Sequence, residues 1–231
     1  MASPIRIISS MATKQVLADL IALYRQAHPD TVIELESVGG VDAAKRVQAG
    51  EAFDIVALAS NAVDQLVADG KVVAGSTVDV VRSGVALAVR RGAPHPDITS
   101  EAAVKQAVLA ARTLGYSTGP SGVQLANLFE RWGIAEQIKD RIVTAPPGVP
   151  VGSLVAKGEV ELGFQQLSEL MSLEGIDVLG PLPAQIQIIT TFSAGLATAS
   201  TQPEAVRALL AFLVSPATGP TKQRNGMEAA G

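Results

Sequence analysis

The sequence predicts an α/β protein of two lobes, each lobe a mainly parallel β-sheet flanked by helices, with two crossings of the chain between them. The main evidence is that short β-branched segments alternate with amphipathic segments along nearly the whole chain. Composition agrees, because 48% of the 231 residues are apolar and only 3% are aromatic. A core made mainly of aliphatic residues, as this composition implies, is typical of helices packed on a buried parallel sheet.

The first third of the chain alternates strand and helix three times. The β-branched segment Ile5 to Ile8 is a strand, and Ser9 and Ser10 end it and can cap the helix that follows. Glycines end the next two helices, at Gly50 and Gly70. Strands are predicted at residues 5–8, 31–38 and 53–60, and helices at 13–28, 39–50 and 61–70.

The same alternation continues in the rest of the chain. It ends with a long β-like stretch at 181–200, a helix at 203–215 and a polar tail. Strands are predicted at residues 83–94, 113–117, 141–145, 161–165 and 176–180, and helices at 101–111, 123–133, 152–158 and 168–173.

These elements divide into two predicted lobes. Lobe I comprises residues 1–81 plus 190–231, lobe II comprises 83–185, and hinge segments lie near residue 82 and at 185–190. Alternating strands and helices require crossover connections, which make a sheet mainly parallel. Ligands of parallel sheets bind beyond the carboxyl ends of the strands. Two crossings also predict hinge closure around a ligand.

Several strand-to-helix loops in both predicted lobes carry Ser, Thr, Gly or Gln. Hydroxyls and free helix amides favour an anion, glycines allow close approach, and an amide side chain can donate or accept. Taken one by one, these residues are equally explained as helix caps and tight turns. The candidate ligand-binding residues are Ser9, Ser10, Met11, Gly39, Gly40, Arg82, Ser117, Thr118, Ser121, Gly122, Gly148, Val149 and Gln166.

Arg82, at the first predicted crossing, is the charged candidate. A guanidinium fork binds a carboxylate through two hydrogen bonds. The alternative is an ion pair with an Asp or Glu within the hinge.

Composition excludes other classes of function. The formal net charge is −4 with no basic block, so nucleic acid is not an expected partner. There are no cysteines and only two histidines, His28 and His95, so neither disulfides, a metal site nor a cofactor is expected. No apolar run is long enough to insert into a membrane. The first residues lack a signal-peptide pattern, so a cytoplasmic location is expected, or a periplasmic one if a signal peptide was removed.

Five stretches carry a resemblance to a known family: ISSMA, RVQAGEAFDIVALAS, SGVALAVRRGAP, SLVAKGEVELGFQQLSEL and GPLPAQIQ with TTFSAGLA. Together they make nearly the whole chain resemble the type 2 periplasmic binding proteins, in the branch of the molybdate-binding protein. The resemblance implies a two-lobed fold whose cleft holds an anion by serine hydroxyls and amides, and an ABC-transporter permease as partner. Ser9 or Ser10 then corresponds to the family's first-loop serine.

The chain departs from that family pattern at two positions. Gly40 or Val41 stands where a second serine is expected, and Gln166 stands where a tyrosine is expected. These departures, with Arg82, resemble a divergent subgroup similar to aconitate isomerase, an enzyme on the same fold.

Two functions are therefore expected as alternatives. The first is binding of a di- or tricarboxylate, rather than a molybdate-type oxyanion, in the cleft between the lobes as a transporter-type solute-binding protein. The second is an isomerase that shifts a double bond by moving a proton, which needs an acid or base within hydrogen-bond reach. Tyr116, Glu36 and Asp42 are candidates for that base, and the sequence does not choose among them or between receptor and enzyme.

Overall fold

The computed structural model describes residues 3–230, and the chain divides into two compact units. The first contains the described residues up to Arg82 together with those from Thr191 on, and the second is Ser83–Thr190. The chain passes from one unit to the other within two strands. The strands are β1 Ile5–Ser10, β2 Ile33–Val38, β3 Ile55–Ala59, β4 Val78–Arg90, β5 Leu114–Ser117, β6 Ile142–Ala145, β7 Leu162–Gln166, β8 Ile176–Pro181, β9 Ile189–Leu196 and β10 Glu228–Ala229.

The helices follow the strands in the predicted alternation. They are α1 Lys14–Ala27, α2 Gly40–Gln48, α3 Ser60–Ala68, α4 Glu101–Ala110, α5 Pro120–Arg131, α6 Ala135–Ile138, α7 Val151–Lys157, α8 Leu167–Leu170, α9 Pro203–Leu213 and α10 Gly219–Arg224. Short 3-10 turns precede α1, at Met11–Thr13, and β9, at Ala184–Ile186.

The first unit is built on the strand order β2-β1-β3-β9. Strand β1 pairs in parallel with both β2 and β3, whereas β9 runs antiparallel to β3. Ile7 belongs to the apolar cluster that holds residues of α1 and α9, and Ile8 to the cluster that holds residues of α2 and α3. The two faces of this sheet are therefore both covered, which explains why all five residues of β3 are apolar and buried.

The second unit has parallel pairs of β5 with β6 and with β7. Strand β4 lies antiparallel to both β7 and β8. One apolar cluster joins residues of α4 and α5 to one face of the sheet, and a second joins residues of α7 and α8 to the other face. Gly163 and Gly115 lie under α7, where an added Cβ at either would come within 2.5 or 2.7 Å of a valine methyl group.

The structure departs from the sequence prediction at the strands that cross between units. Strand β4 starts at Val78 and continues through Arg82, rather than starting at residue 83. The predicted β-like stretch 181–200 holds a 3-10 turn and a strand of only eight residues. Within it the Gln187 side-chain Oε1 accepts from the Val85 and Ile188 amides at 3.0 and 2.8 Å, and the Val85 amide also donates to the Ile188 carbonyl oxygen at 3.1 Å.

The predicted polar tail is ordered structure. It contains α10 and the short strand β10, which pairs antiparallel with β4 at Arg82 and Val81. Long-range pairing creates this strand, and no local pattern in the tail indicates it. Among the residues described, no helix has the length and apolar character that a membrane span requires.

Candidate functional site

In the first unit, serine hydroxyls meet at the carboxyl ends of β1 and β2. The parallel register places Ser9 opposite Ser37, and their Oγ atoms are 2.7 Å apart. On the next residue, Ser10 Oγ lies 3.3 Å from Thr13 Oγ1. Ser9 is fully buried and Ser37 is half-buried, so Ser37 is the member of the pair that a ligand can reach. Ser9 Oγ also donates to the Ser10 carbonyl oxygen at 3.2 Å, so Ser37 is then the donor to Ser9 and its own oxygen can accept from a ligand.

Three helical segments start beside these hydroxyls, at the ends of β1, β2 and β3. The residues that precede these segments, Ser10, Gly39 and Ala59, make no side-chain cap hydrogen bond in the described structure. The first N–H groups of α2 and α3 therefore have no acceptor from the side chain of the N-cap residue, and an anion can supply one. A Cβ added to Gly40 would lie 3.7 Å from Ser10 Cβ, an ordinary contact distance, so its absence leaves open space beside Ser10.

Five predicted residues are thus brought together in the first unit, namely Ser9, Ser10, Met11, Gly39 and Gly40. Arg82 instead lies on β4 opposite Glu228 of β10. Its Nη2 is 3.6 Å from Glu228 Oε2, and 48% of its side chain is exposed. This ion pair is the alternative that the sequence left open.

In the second unit, four predicted residues lie at the end of β5 and the start of α5. Ser117 Oγ accepts from the Gly119 amide at 3.4 Å, Thr118 is exposed, and Ser121 is buried in the first turn. Packing explains the glycine at position 122, because an added Cβ would lie 1.7 Å from the Ser117 carbonyl oxygen. Gly122 therefore allows α5 to pack on the end of β5.

The loop after β6 holds the predicted residues Gly148 and Val149. Gly148 has φ +76°, which favours glycine, and it is exposed. The Val149 amide donates to the Pro146 carbonyl oxygen at 3.0 Å, so the turn itself uses this N–H. The loop leads directly into α7.

Gln166, the last residue of β7, is 4% exposed and has one unsatisfied polar atom. Its Nε2 donates to Thr190 Oγ1 at 2.9 Å, while its Oε1 has no hydrogen-bond partner in the part of the chain described. Ser83 Oγ, also buried and in the same unit, is likewise without a partner among residues 3–230. Buried polar atoms normally have partners, so these two indicate that a ligand or water completes them.

The neighbouring residue, Gln165, connects two elements by its amide. Its Oε1 accepts from the Gly152 amide of α7 at 3.1 Å, and its Nε2 donates to Glu169 Oε1 of α8 at 2.9 Å. Burial raises the pKa of Glu169 to about 7, although the hydrogen bond from Gln165 acts in the opposite direction. A carboxyl group with such a pKa exchanges protons near neutrality.

The three residues considered from sequence as the base, Glu36, Tyr116 and Asp42, are not the ones that the structure places next to Gln165. Arg46 donates hydrogen bonds to Glu36 and lowers the pKa of that carboxyl, which makes it a weaker base. Burial raises the pKa of Tyr116, so its phenol stays protonated at neutral pH. Asp42 lies in the first turn of α2. Nowhere in the described chain do three His, Cys, Asp or Glu residues form a group that could hold a metal ion.

Sequence reasoning did not select several residues that the structure adds, namely Thr13, Ser37, Ser83, Gln165, Glu169 and Thr190. Ser37 and Glu169 had a usable signal, since both lie within four residues of a predicted strand end. The burial of Ser83 and the hydrogen bond of Thr190 depend on pairing between distant strands, so the sequence carried no signal for these two residues.

Comparison with known proteins agrees with this architecture. A family model described as "Bacterial extracellular solute-binding protein" matches residues 5–228. The periplasmic molybdate-binding protein of Azotobacter vinelandii has a TM-score of 0.81 at 15% identity, covering 98% of this chain and 100% of that one. The sulfate-binding protein of Mycobacterium tuberculosis H37Rv has a TM-score of 0.81 at 14% identity, covering 99% of this chain and 88% of that one. The predicted fold class and family resemblance are confirmed.

A relative found by sequence has a higher sequence identity to this chain than the two structures above. An aconitate isomerase from Pseudomonas sp is 44% identical over 173 residues, which is 74% of this chain. The match spans 65% of that relative's own length.

The raised pKa of Glu169 predicts a pH-dependent stability. The folded-state pKa of about 7 is above the ordinary 4.5, so folding favours the protonated form of Glu169. The contribution of this group to the free energy of unfolding is complete below about pH 4.5 and is lost as the pH rises through about 7. Glu169→Gln should therefore stabilise the chain relative to wild type by on the order of 2 kcal/mol more at about pH 8 than at about pH 5. Urea unfolding at both pH values measures this, with exposed Glu159→Gln as the control. Equal pH dependence in wild type and Glu169→Gln would contradict it.

Proposed function

This chain belongs to the bacterial extracellular solute-binding protein family, and we propose that it binds a small di- or tricarboxylate. The supporting observation is the Ser9–Ser37 hydroxyl pair at 2.7 Å, next to helix starts whose N-cap residues make no side-chain cap hydrogen bond in the described chain. Hydroxyls and amides arranged in this way can donate several hydrogen bonds to carboxylate oxygens. The proposed binding residues are those predicted from sequence, with Ser37 added.

Two arguments support a carboxylate over a metal oxyanion. The relative with 44% identity is named for a tricarboxylate, whereas the molybdate- and sulfate-binding structures are 14–15% identical. In addition, the chain has Gly40 or Val41 and Gln166 where the molybdate branch has a serine and a tyrosine. Aconitate is therefore our first choice of ligand.

The proposed receptor function implies a protein partner and a location. A solute-binding protein of an ABC transporter delivers its ligand to the permease, so an ABC-transporter permease is the proposed partner. The periplasm is the corresponding location, and the cytoplasm is the location proposed for an enzyme without export.

A second function, isomerisation of aconitate, is favoured by one observation. Glu169 is a carboxyl group that exchanges protons near neutrality, in the same unit as Gln166, whose Oε1 has no partner in residues 3–230. A simple receptor does not need such a group.

A thermal-shift experiment tests the ligand class. The panel is cis-aconitate, trans-aconitate, the saturated propane-1,2,3-tricarboxylate, molybdate and sulfate. A ligand at 100 times its Kd adds about 2.7 kcal/mol, which raises Tm by about 5 °C or more in a chain of this size. Carboxylates should stabilise the protein, and the inorganic oxyanions should not. Stabilisation by molybdate or sulfate alone would overturn the carboxylate proposal.

Gly40→Ala should remove ligand binding without destabilising the fold. The new Cβ meets Ser10 Cβ at 3.7 Å, so the fold tolerates it, and alanine in a helix is more favourable than glycine by up to about 1 kcal/mol. The methyl group fills the space beside Ser10, so the Tm gain from the best carboxylate should disappear while the ligand-free Tm is kept. The matched control is Gly219→Ala, at the start of α10, where an added Cβ meets nothing within 4 Å. An unchanged ligand response in Gly40→Ala would contradict the proposed site.

We further propose that Arg82 exchanges Glu228 for a ligand carboxylate. The existing ion pair is long, at 3.6 Å, and 78% of the Glu228 side chain is exposed, so breaking it costs little. Arg82→Ala should weaken carboxylate binding by at least about tenfold, the loss of one charged hydrogen bond. Glu228→Gln should bind at least as tightly as wild type, because it frees the guanidinium. Titration calorimetry measures both, and equal affinity in Arg82→Ala and wild type would remove Arg82 from the site.

A further inference from the structure

Two buried polar side chains with an unpartnered atom lie on one face of the sheet in the second unit. Val85 of β4 is paired with Gln166 of β7, and the side chains of a directly opposed pair point to the same face. Ser83 precedes Val85 by two residues on β4 and therefore shares that face. Val85 belongs to the apolar cluster that holds residues of α4 and α5, so this face is the one opposite α7.

The Gln166 side chain lies across β4, on the face that carries Ser83. The strand order is β9-β4-β7, and Gln166 Nε2 of β7 donates to Thr190 Oγ1 of β9 at 2.9 Å. Ser83 is the diagonal neighbour of Gln166 in the β4–β7 pairing, at about 7–8 Å, which a long side chain spans. We call Ser83, Gln166 and Thr190, which are 1%, 4% and 9% exposed, the β4 polar cluster.

The open hydrogen-bonding capacity of the β4 polar cluster matches a hydroxyl group. Within residues 3–230, Gln166 Oε1 and Ser83 Oγ have no partner, and the amide oxygen can only accept. Thr190 Oγ1 accepts from Gln166 and keeps its own proton to donate, and Ser83 also has a proton to donate. A group that completes the cluster must therefore give one proton and accept from one or two hydroxyls. An alcohol does both.

Other ligand groups meet only part of this requirement. A carboxylate accepts from Ser83 and Thr190 but has no proton for Gln166 Oε1, whereas an ammonium group donates and accepts nothing. A buried site that hydrogen-bonds a ligand hydroxyl selects against the analogue without it, because the polar groups of the site are then left unpaired. Water can also give and accept protons, so water is the competing occupant.

We propose that the β4 polar cluster binds an alcohol hydroxyl, and that the ligand of this chain is a hydroxylated di- or tricarboxylate. This inference rests on the proposed function, carboxylate binding, and narrows its ligand class. Such a ligand can keep the carbon skeleton of aconitate, since adding water across the double bond of aconitate gives a hydroxytricarboxylate. The β4 polar cluster then selects the hydroxyl, and the groups proposed above bind the carboxylates.

The experiment compares ligands that differ by one hydroxyl: citrate against propane-1,2,3-tricarboxylate, and malate against succinate. Titration calorimetry with the full chain gives the Kd of each. In at least one pair the hydroxylated member should bind at least about tenfold more tightly, because it completes Gln166 Oε1 and the hydroxyls beside it. Equal affinities within both pairs would overturn the inference, because water or the Gln166 amide turned by 180° would then account for the cluster.

Two variants test where the hydroxyl binds. Gln166→Met keeps the length of the side chain without its amide, and Ser83→Ala removes a hydroxyl that has no partner in the described chain, so both should fold, as ligand-free Tm will check. In each variant the preference for the hydroxylated member should fall by at least about threefold relative to wild type. The matched control is Gln137→Met on α6, where the glutamine is exposed and the preference should be kept.

The outcomes separate this inference from the proposed function. If the hydroxylated ligand binds more tightly but Gln166→Met and Ser83→Ala keep the full preference, the hydroxyl binds elsewhere and the inference is overturned. If ligands with and without the hydroxyl bind wild type equally, the inference is overturned and carboxylate binding stands. If no di- or tricarboxylate binds wild type, both are overturned.

Discussion

The in-register parallel pairing of β1 with β2 is the interaction on which the candidate site depends. It sets Ser9 opposite Ser37, 28 residues away in sequence, and ends both strands at the same edge. The helical segments that follow then begin side by side, and their N-cap residues make no side-chain cap hydrogen bond in the described structure. A shift of one residue would move Ser37 to the opposite face of the sheet and break the pair.

Neutral groups dominate the candidate site in both units. In a protein of net charge −4, a fixed cluster of cations would be needed to attract an anion from a distance, and the sequence has no basic block. Hydroxyls and amides instead act only over hydrogen-bond distances, so the geometry of the site selects the ligand. The unsatisfied Gln166 Oε1 and Ser83 Oγ show the cost of this design, since each buried atom without a partner costs about 1–3 kcal/mol. A ligand or water that satisfies them recovers this free energy.

The distinction between receptor and enzyme comes down to a few side chains. Structures named for molybdate and sulfate binding share this fold with the present chain at 14–15% identity, so the fold alone carries no information on turnover. In this chain, the carboxyl group that can exchange protons near neutral pH is Glu169, which accepts a hydrogen bond from Gln165. Burial without a compensating charge raises the pKa of a carboxyl group, and such a group can exchange protons near neutral pH.

The sequence by itself determined the alternation of strands and helices, the fold class and the loops rich in Ser and Gly. These features are local, because each depends on periodicity or on turn residues within one short segment. Only the tertiary structure decided that Ser37 meets Ser9, that Gly122 is needed for packing, that Gln187 accepts from the Val85 amide and that Glu228 pairs with Arg82. Each of these depends on which distant strands become neighbours and in what register. Register is set by the collective burial of both sheet faces, and one segment read alone does not contain it.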